Sequence, residues 1–295
     1  MKDIIVVTGG AGFVGSNLIA LLLRETKFKI ISIDNYSTGT KKNHQKNKRT
    51  SYINENTKNI ITVLKNKKDR IKVIFHFGEF SRIYQSFLKM NECIESNSVG
   101  SNAVFNFCLE NKIKLIYSAT SASLGNKGRD KDLSPYAFTK SKNLEMLENL
   151  KRWFKMKYEI IYFYNVYGKG QIEKGPMATV IGIFEDHYKK KKPLPVVLPG
   201  SQSRRFTHIE DTVKICYQAW KNNDCKHYSI SNKKSYTIAQ VAKMFKSKIK
   251  FLPLRKGERY ASALTNISQS NKVHKYFGKQ QLANYIKDLL EKHNK

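Results

Sequence analysis

Long apolar runs are missing from this 295-residue chain. None approaches the roughly 18–20 consecutive apolar residues that a helix needs to cross a bilayer, so no membrane association is expected. No leader is expected either: the N-terminus runs directly into "KDIIVVTGG", which has the texture of a strand and not of a basic stretch followed by a cleavable apolar core. Cysteine is scarce. Cys93, Cys108, Cys216 and Cys225 form no C-x-x-C pair and no metal-ligand spacing, which argues against a disulfide scaffold or a zinc centre and for a reduced, cytoplasmic protein without bound metal. Acidic residues are few as well, 23 against 54 lysines and arginines, for a formal net charge of +31. Of those 54, 44 are lysines, spread over the whole chain in "KNKKDRIK", "HYKKKKP" and "KSKIK". Lys, Asn and Ile share A/T-rich codons, so the charge reads as composition bias on solvated faces. No zinc-finger, helix-turn-helix or RNA-binding aromatic pattern accompanies it, and no specific nucleic-acid partner is expected. An attraction for anionic small molecules follows from the field alone.

What is present is alternation. "IIVVTG" (4–9), "KIISID" (29–34), "KVIFHFG" (72–78), "KLIYSAT" (114–120) and "EIIYFYNV" (159–166) are short β-branched and aromatic runs. Helical patterns lie between them near 13–24, 91–111 and 136–157. Strand–helix alternation predicts an α/β fold with a doubly wound parallel sheet. Residues 41–58, rich in Lys and Asn with no apolar period, read as a loop excursion. After Val166, Gly and Pro become frequent, with helices expected near 177–191, 209–222, 237–246 and 279–291 and a strand at 227–231 returning to the main sheet. The division expected is a Rossmann-type domain over 1–166, with a returning segment near 206–232, and a smaller substrate-binding lobe over 167–295.

"VVTGGAGFVGS" sets Gly9, Gly12 and Gly15 in G-x-x-G-x-x-G spacing, directly after a strand and opening a helix with Phe13 and Val14. Such a turn lets a pyrophosphate approach the backbone and meet the positive end of the helix. Asp34, 19 residues beyond Gly15 at the end of the second strand, can bind a ribose 2′-hydroxyl and would repel a 2′-phosphate, with Asn35 beside it. The cofactor indicated is NAD; Lys41 and Lys42 nearby keep NADP as a weaker option. In "SPYAFTKSKNLEM", Tyr136 and Lys140 stand four residues apart after a proline, on one face of a predicted helix. A phenol beside an ammonium is either a surface Tyr over a Lys stem or a base whose pKa a neighbouring cation lowers.

With these motifs in order, the chain resembles the extended short-chain dehydrogenases/reductases, the family of nucleotide-sugar epimerases and dehydratases. The likeness runs from "TGGAGFVGS" through "IYSATSASLG", "PYAFTK" and "FYNVYG" to "RRFTHIEDTV" and "RKGERYAS". It implies a homodimer, a nucleotide-diphosphate-sugar substrate, and a catalytic trio of Thr120, Tyr136 and Lys140, with Ser118 at the same strand end. Taking a hydride from a carbinol carbon requires the hydroxyl proton to leave, and a phenol of ordinary pKa near ~10 is a poor base at neutrality. Lys140 and the positive nicotinamide would lower Tyr136, Lys140 would also hold the nicotinamide ribose, and Thr120 would orient the sugar oxygen. By the same resemblance Asn97 braces the site, Asn165 contacts the sugar nucleotide, Arg204 and Arg255 clamp the diphosphate, and Glu258 holds the nucleoside ribose.

The chain also departs from the family. Leu124 replaces the usual Tyr before Gly125, "HLAA" becomes "HFGEF" with Gly78 and Glu79 on the nicotinamide wall, and the acidic adenine-contacting motif is absent from 51–60. Dehydratases of the family carry Asp-Glu after the catalytic Thr, and decarboxylases a Glu at the second of those positions; here they are Ser121 and Ala122. The expectation is therefore C4 epimerisation of a UDP-sugar with tightly held NAD. Lys174, nine residues after Asn165, matches the second acid/base of ADP-heptose 6-epimerases, which keeps that activity open beside a 4-keto reductase. A non-catalytic dinucleotide- or RNA-binding protein is the reading from another class, and it requires a broken trio.

Overall fold

The computed structural model describes residues 3–121, 130–257 and 273–293. In chain order the strands are β1 (Ile4–Thr8), β2 (Lys29–Asp34), β3 (Thr50–Asn54), β4 (Ile71–His76), β5 (Lys114–Thr120), β6 (Tyr158–Phe163), β7 (Val166–Tyr167), β8 (Leu194–Val197), β9 (Ser203–Arg205), β10 (Thr207–His208), β11 (His227–Ser231), β12 (Ser235–Thr237), β13 (Ile249–Leu252) and β14 (Val273–Phe277). The helices are α1 (Phe13–Glu25), α2 (Ile60–Leu64), α3 (Ile83–Leu88), α4 (Met90–Ile94), α5 (Ser101–Glu110), α6 (Pro135–Phe154), α7 (Val180–Lys189), α8 (Ile209–Asn222), α9 (Ile238–Met244) and α10 (Leu282–His293).

Eight strands form one sheet in the order β14-β11-β6-β5-β4-β1-β2-β3, and every pairing in it is parallel. Parallel strands are covered on both faces, which is why β1 and β5 are buried along their whole length. On one face Ile60 and Leu64 of α2, Phe105 and Phe107 of α5, and Leu147 and Leu150 of α6 pack onto Val6, Ile74 and Leu115. On the other, Leu18 and Leu22 of α1 and Val213 and Cys216 of α8 pack onto Ile5, Val7 and Ile116. This is the doubly wound Rossmann-like fold. Chain order reverses between β1 and β4, so a crevice opens there beyond the carboxyl ends of the strands.

The C-terminal half builds a second, smaller core from Phe184 of α7, Val196 of β8, Phe245 at the C-cap of α9 and Ile286 of α10. Three two-stranded ribbons, β7–β10, β8–β13 and β9–β12, frame it. β11 leaves this half to pair with β6, and β14 extends the same edge.

Two expectations are corrected. Residues 41–58 are not one loop: Thr50–Asn54 form β3, the edge strand beside β2. A strand covered on only one side can carry polar residues, and "TSYIN" has no apolar signal to betray it. The helix expected over 91–111 is interrupted by a wider, π-helical turn at Glu95–Gly100 between α4 and α5. An apolar stripe of Phe105, Phe107, Leu144 and Leu147, which could equally have faced a partner or the core, packs inward. The exposed apolar side chains of this side are instead Met90, Ile94 and Val99 with Phe138, Met146 and Trp153 of α6. Among the described residues, no helix is long and apolar enough to cross a membrane.

Candidate active site

A cavity of about 570 Å³ occupies the crevice between sheet and small lobe. At one end lies the turn after β1. Gly9 has φ +68, and a Cβ on Gly15 would sit 2.2 Å from the Gly9 carbonyl oxygen. The turn can therefore close only with glycine at these positions. Gly12 caps α1 without a side chain and no acidic residue follows in the first turn, so the positive helix end faces the cavity beside Phe13, Val14 and Gly15. Asp34 reaches across from β2: its carboxylate accepts from Ala11 N at 2.9 Å and Tyr36 N at 2.8 Å. Burial nonetheless raises its pKa, with those amides pulling the other way. Asp34 and Asn35 line the cavity, whereas Lys41 and Lys42 do not. An uncapped helix end, a turn that a Cβ would fill and a carboxylate at the second strand's end together fit a dinucleotide with a free ribose 2′-hydroxyl.

The other end belongs to β5 and α6. Ser134 caps α6 by accepting from Ala137 N at 3.0 Å, and Pro135 fixes the first helical position. Tyr136 is thereby set in the first turn, its own amide donating to Ser86 Oγ at 3.2 Å, and Lys140 follows one turn on. Thr120, at the end of β5, hydrogen-bonds the Tyr136 phenol. Thr120, Tyr136 and Lys140 are all buried and all line the cavity. Ser118 shares the strand end; its hydroxyl donates to the His76 carbonyl at 3.0 Å and its own carbonyl accepts from Lys140 Nζ.

The surroundings of the Tyr136 phenol involve more than its helix neighbour Lys140. Burial, ahead of every other cause, pushes the phenol up to about 12; Thr120 works against that, while the Glu79 carboxylate adds to it. Glu79 and Lys140 form a buried ion pair, so a carboxylate stands against the ammonium near the phenol. The sequence marked Glu79 only as a departure from the family's "HLAA"; that a charged residue stands where the family has Ala was the available signal. Arg82 was missed altogether. It lines the cavity, donates from Nε to the Met177 carbonyl at 2.9 Å, and lies close enough for its charge to favour the Tyr136 phenolate.

Asn97 sits inside the π-helical turn and pins the wall that follows β4. It accepts from Phe80 N at 2.6 Å and donates to Phe80 O at 3.1 Å and Thr139 Oγ1 at 3.2 Å. It lies behind the cavity and not on its surface. Asn165, at φ +33, donates to the Arg205 carbonyl at 2.8 Å and lines the cavity. Arg204 and Arg255 line it too, from β9 and from the chain after β13, with Arg255 stacked 5.4 Å over the Tyr84 ring. Lys174 does not: it is 69% exposed and pairs with Asp186 at 3.5 Å. Its long, mostly exposed side chain reaches Asp186 of α7. Glu258, with Ala122 and Leu124, lies outside the described residues. No group of three or more metal-ligating side chains occurs among the described residues.

Residues 5–232 match the NAD dependent epimerase/dehydratase family. An ADP-L-glycero-D-manno-heptose-6-epimerase of Brachyspira hyodysenteriae is 28% identical over 258 residues, covering 82% of this chain and 80% of that protein. An uncharacterized UDP-glucose epimerase of Bacillus subtilis is 30% identical over 229 residues, 71% of this chain and 70% of its own. The structure of the UDP-glucose 4-epimerase of Thermotoga maritima, solved with UDP-glucose, superposes with a TM-score of 0.85 at 23% identity over 98% of this chain and 97% of that one. With the dinucleotide turn, Asp34 and the β5–α6 cluster lining one crevice of a parallel sheet, the chain belongs to the NAD dependent epimerase/dehydratase family and takes NAD as its cofactor.

Proposed function

We propose that the protein is a nucleotide-sugar epimerase that inverts C4 of a UDP-sugar and uses one NAD over and over. The observation that carries this reading is the surroundings of Thr120. Tyr136 stands beside it, the neighbouring residue in the cavity is Ser121, and the Glu79 carboxylate is already taken by Lys140. An elimination needs a free acid and base near the leaving hydroxyl; an oxidation and its reversal need one proton carrier. Bound NAD supplies the acceptor and donor of hydride, and a positive ring whose charge favours phenolate. Tyr136 then takes the C4 hydroxyl proton and later returns it, at its phenolic oxygen. Thr120 orients that oxygen by hydrogen bonding. Lys140 holds the nicotinamide ribose, and Gly9, Gly12, Gly15 and Asp34 hold the rest of the cofactor. Arg204 and Arg255 clamp the diphosphate, and Asn165 contacts the sugar nucleotide.

The Brachyspira relative favours a second reading, a heptose-type 6-epimerase. It would recruit Lys174 as a second acid/base, and Lys174 lies away from the cavity lining. We also infer a homodimer. Phe138, Met146 and Trp153 recur along one face of α6, next to the exposed Met90, Ile94 and Val99. The three best-buried cysteines, none in a disulfide, suit a reducing cytoplasm. Incubation with UDP-sugars and with ADP-heptose, followed by proton NMR, separates the two activities: only a UDP-sugar pair should equilibrate.

A further inference from the structure

We propose that Glu79 is a positioning residue of the reaction, holding the Lys140 ammonium at the end of β5 and tying it to the cofactor turn through Ser101, His76 and Thr8. This rests on the epimerase reading for the reaction itself, but the bonding pattern stands independently of it.

The hydrogen bonds of this network all run one way, from the cofactor turn to Glu79. Thr8, the residue before Gly9, accepts at its hydroxyl from Phe77 N at 3.1 Å and Gly78 N at 3.0 Å. Both lone pairs are then used, so its proton goes to His76 Nδ1, 2.7 Å away. With Nδ1 accepting, Nε2 carries the imidazole proton and donates to Ser101 Oγ at 3.0 Å. Burial, which lowers the His76 pKa to about 4, agrees with a neutral ring. Ser101 in turn donates to Glu79 Oε1 at 2.8 Å. The chain ends on a carboxylate, and no member of it is free to turn round.

Three further donors close on the same group. Tyr117 of β5 donates at 3.0 Å and Asn143 of α6 at 3.2 Å, both to Oε1, while Lys140 Nζ takes Oε2. The Lys140 ammonium also rests 4.4 Å over the Tyr117 ring. Glu79 thus gathers β1, β4, β5, α5 and α6 at one point, and Lys140 cannot leave it without orphaning a buried carboxylate. The charged and titratable groups facing Glu79 are Lys140, Tyr117, Tyr136, His76 and Cys93, and Arg82 faces Tyr136 from the cap of α3.

The consequence lies in proton chemistry. A free ammonium one turn from Tyr136 would favour phenolate; one paired with Glu79 does so less, and the carboxylate itself disfavours it. Substituting Glu79→Gln removes a negative charge beside the phenol, so the Tyr136 pKa falls, while Lys140, left buried without its counter-ion, holds its own proton less firmly. The Tyr136 phenolate is the active form, and the acid limb of its pH profile moves to lower pH.

The test is a titration of the NAD-loaded protein labelled with ¹³Cζ-tyrosine, with Tyr136→Phe assigning the signal, alongside kcat and KM against pH on whichever UDP-sugar turns over. Glu79→Gln is expected to lower the Tyr136 midpoint by about one pH unit and to move the acid limb of kcat with it. Glu79→Asp keeps the charge but not the reach; its midpoint should stay near wild type while kcat falls about tenfold or more. An unmoved midpoint in Glu79→Gln, or wild-type kcat in Glu79→Asp should Glu79→Gln not fold, overturns the proposal. If no sugar nucleotide turns over in the wild type, the epimerase reading fails, and the tyrosine titration alone still decides the role of Glu79.

Discussion

The turn after β1 makes the most quantitative demand on the chain, and Gly15→Ala tests it. A Cβ at Gly15 would lie 2.2 Å from the Gly9 carbonyl oxygen and 2.8 Å from both the Gly10 Cα and the Gly9 carbonyl carbon. All three are backbone atoms, so no side chain can swing away; the turn or the start of α1 must shift by about 1 Å to relieve the overlap. Overpacking of this kind costs on the order of 3 kcal/mol. For a domain of this size that is a Tm lower by roughly 6–12 °C. If the turn seats the pyrophosphate as proposed, NAD should also bind at least about tenfold more weakly, a loss of about 1.4 kcal/mol. Gly12→Ala is the internal control for the melting temperature alone: within the protein its Cβ meets only the Gly9 oxygen, at 3.2 Å, and a small adjustment relieves it. Differential scanning calorimetry and NAD retained through gel filtration read both effects. A Gly15→Ala protein that melts with the wild type and keeps its NAD would show that the turn is not the tight cofactor seat described above.

Two further outcomes are expected. Lys174→Ala should change kcat/KM for a UDP-sugar by less than about twofold, as a surface substitution does; steady-state assays that show a large loss would bring Lys174 back into the chemistry. Met146→Glu should convert a dimer into a monomer in sedimentation velocity by placing a charge in the apolar face of α6, and a wild-type protein that already sediments as a monomer refutes the dimer.

How legible all this was in the sequence depended on what each element buries. β1, β2, β4, β5 and β6 are buried strands of a parallel sheet, and their continuous apolar runs stand out. β3 lies at the edge, alternates half-buried with exposed positions, and gives no run to read. The glycine spacing and Asp34 predicted the cofactor end because local backbone geometry dictates those residue types. Tyr136 and Lys140 were legible as a pair for the same reason: they are neighbours on one helix, set by Ser134 and Pro135. The meaning of the pair was not. Glu79 stands 61 residues from Lys140 in the chain, and only the folding of β4 against β5 and α6 brings the carboxylate to the ammonium. Burial, which local spacing does not encode, raises the Tyr136 phenol. Lys174 is the converse case, a sequence offset whose side chain the fold pairs with Asp186 away from the cavity lining.

The central claim is tested most directly by proton NMR of the purified protein with UDP-glucose, UDP-N-acetylglucosamine and UDP-glucuronic acid, with no cofactor added. The account predicts a new anomeric signal from the C4 epimer of one of them, reduced by about 10²–10⁴-fold in rate in Tyr136→Phe. Conversion that appears only when NAD or NADH is supplied and consumed would make the protein a net dehydrogenase or reductase, and would contradict the account.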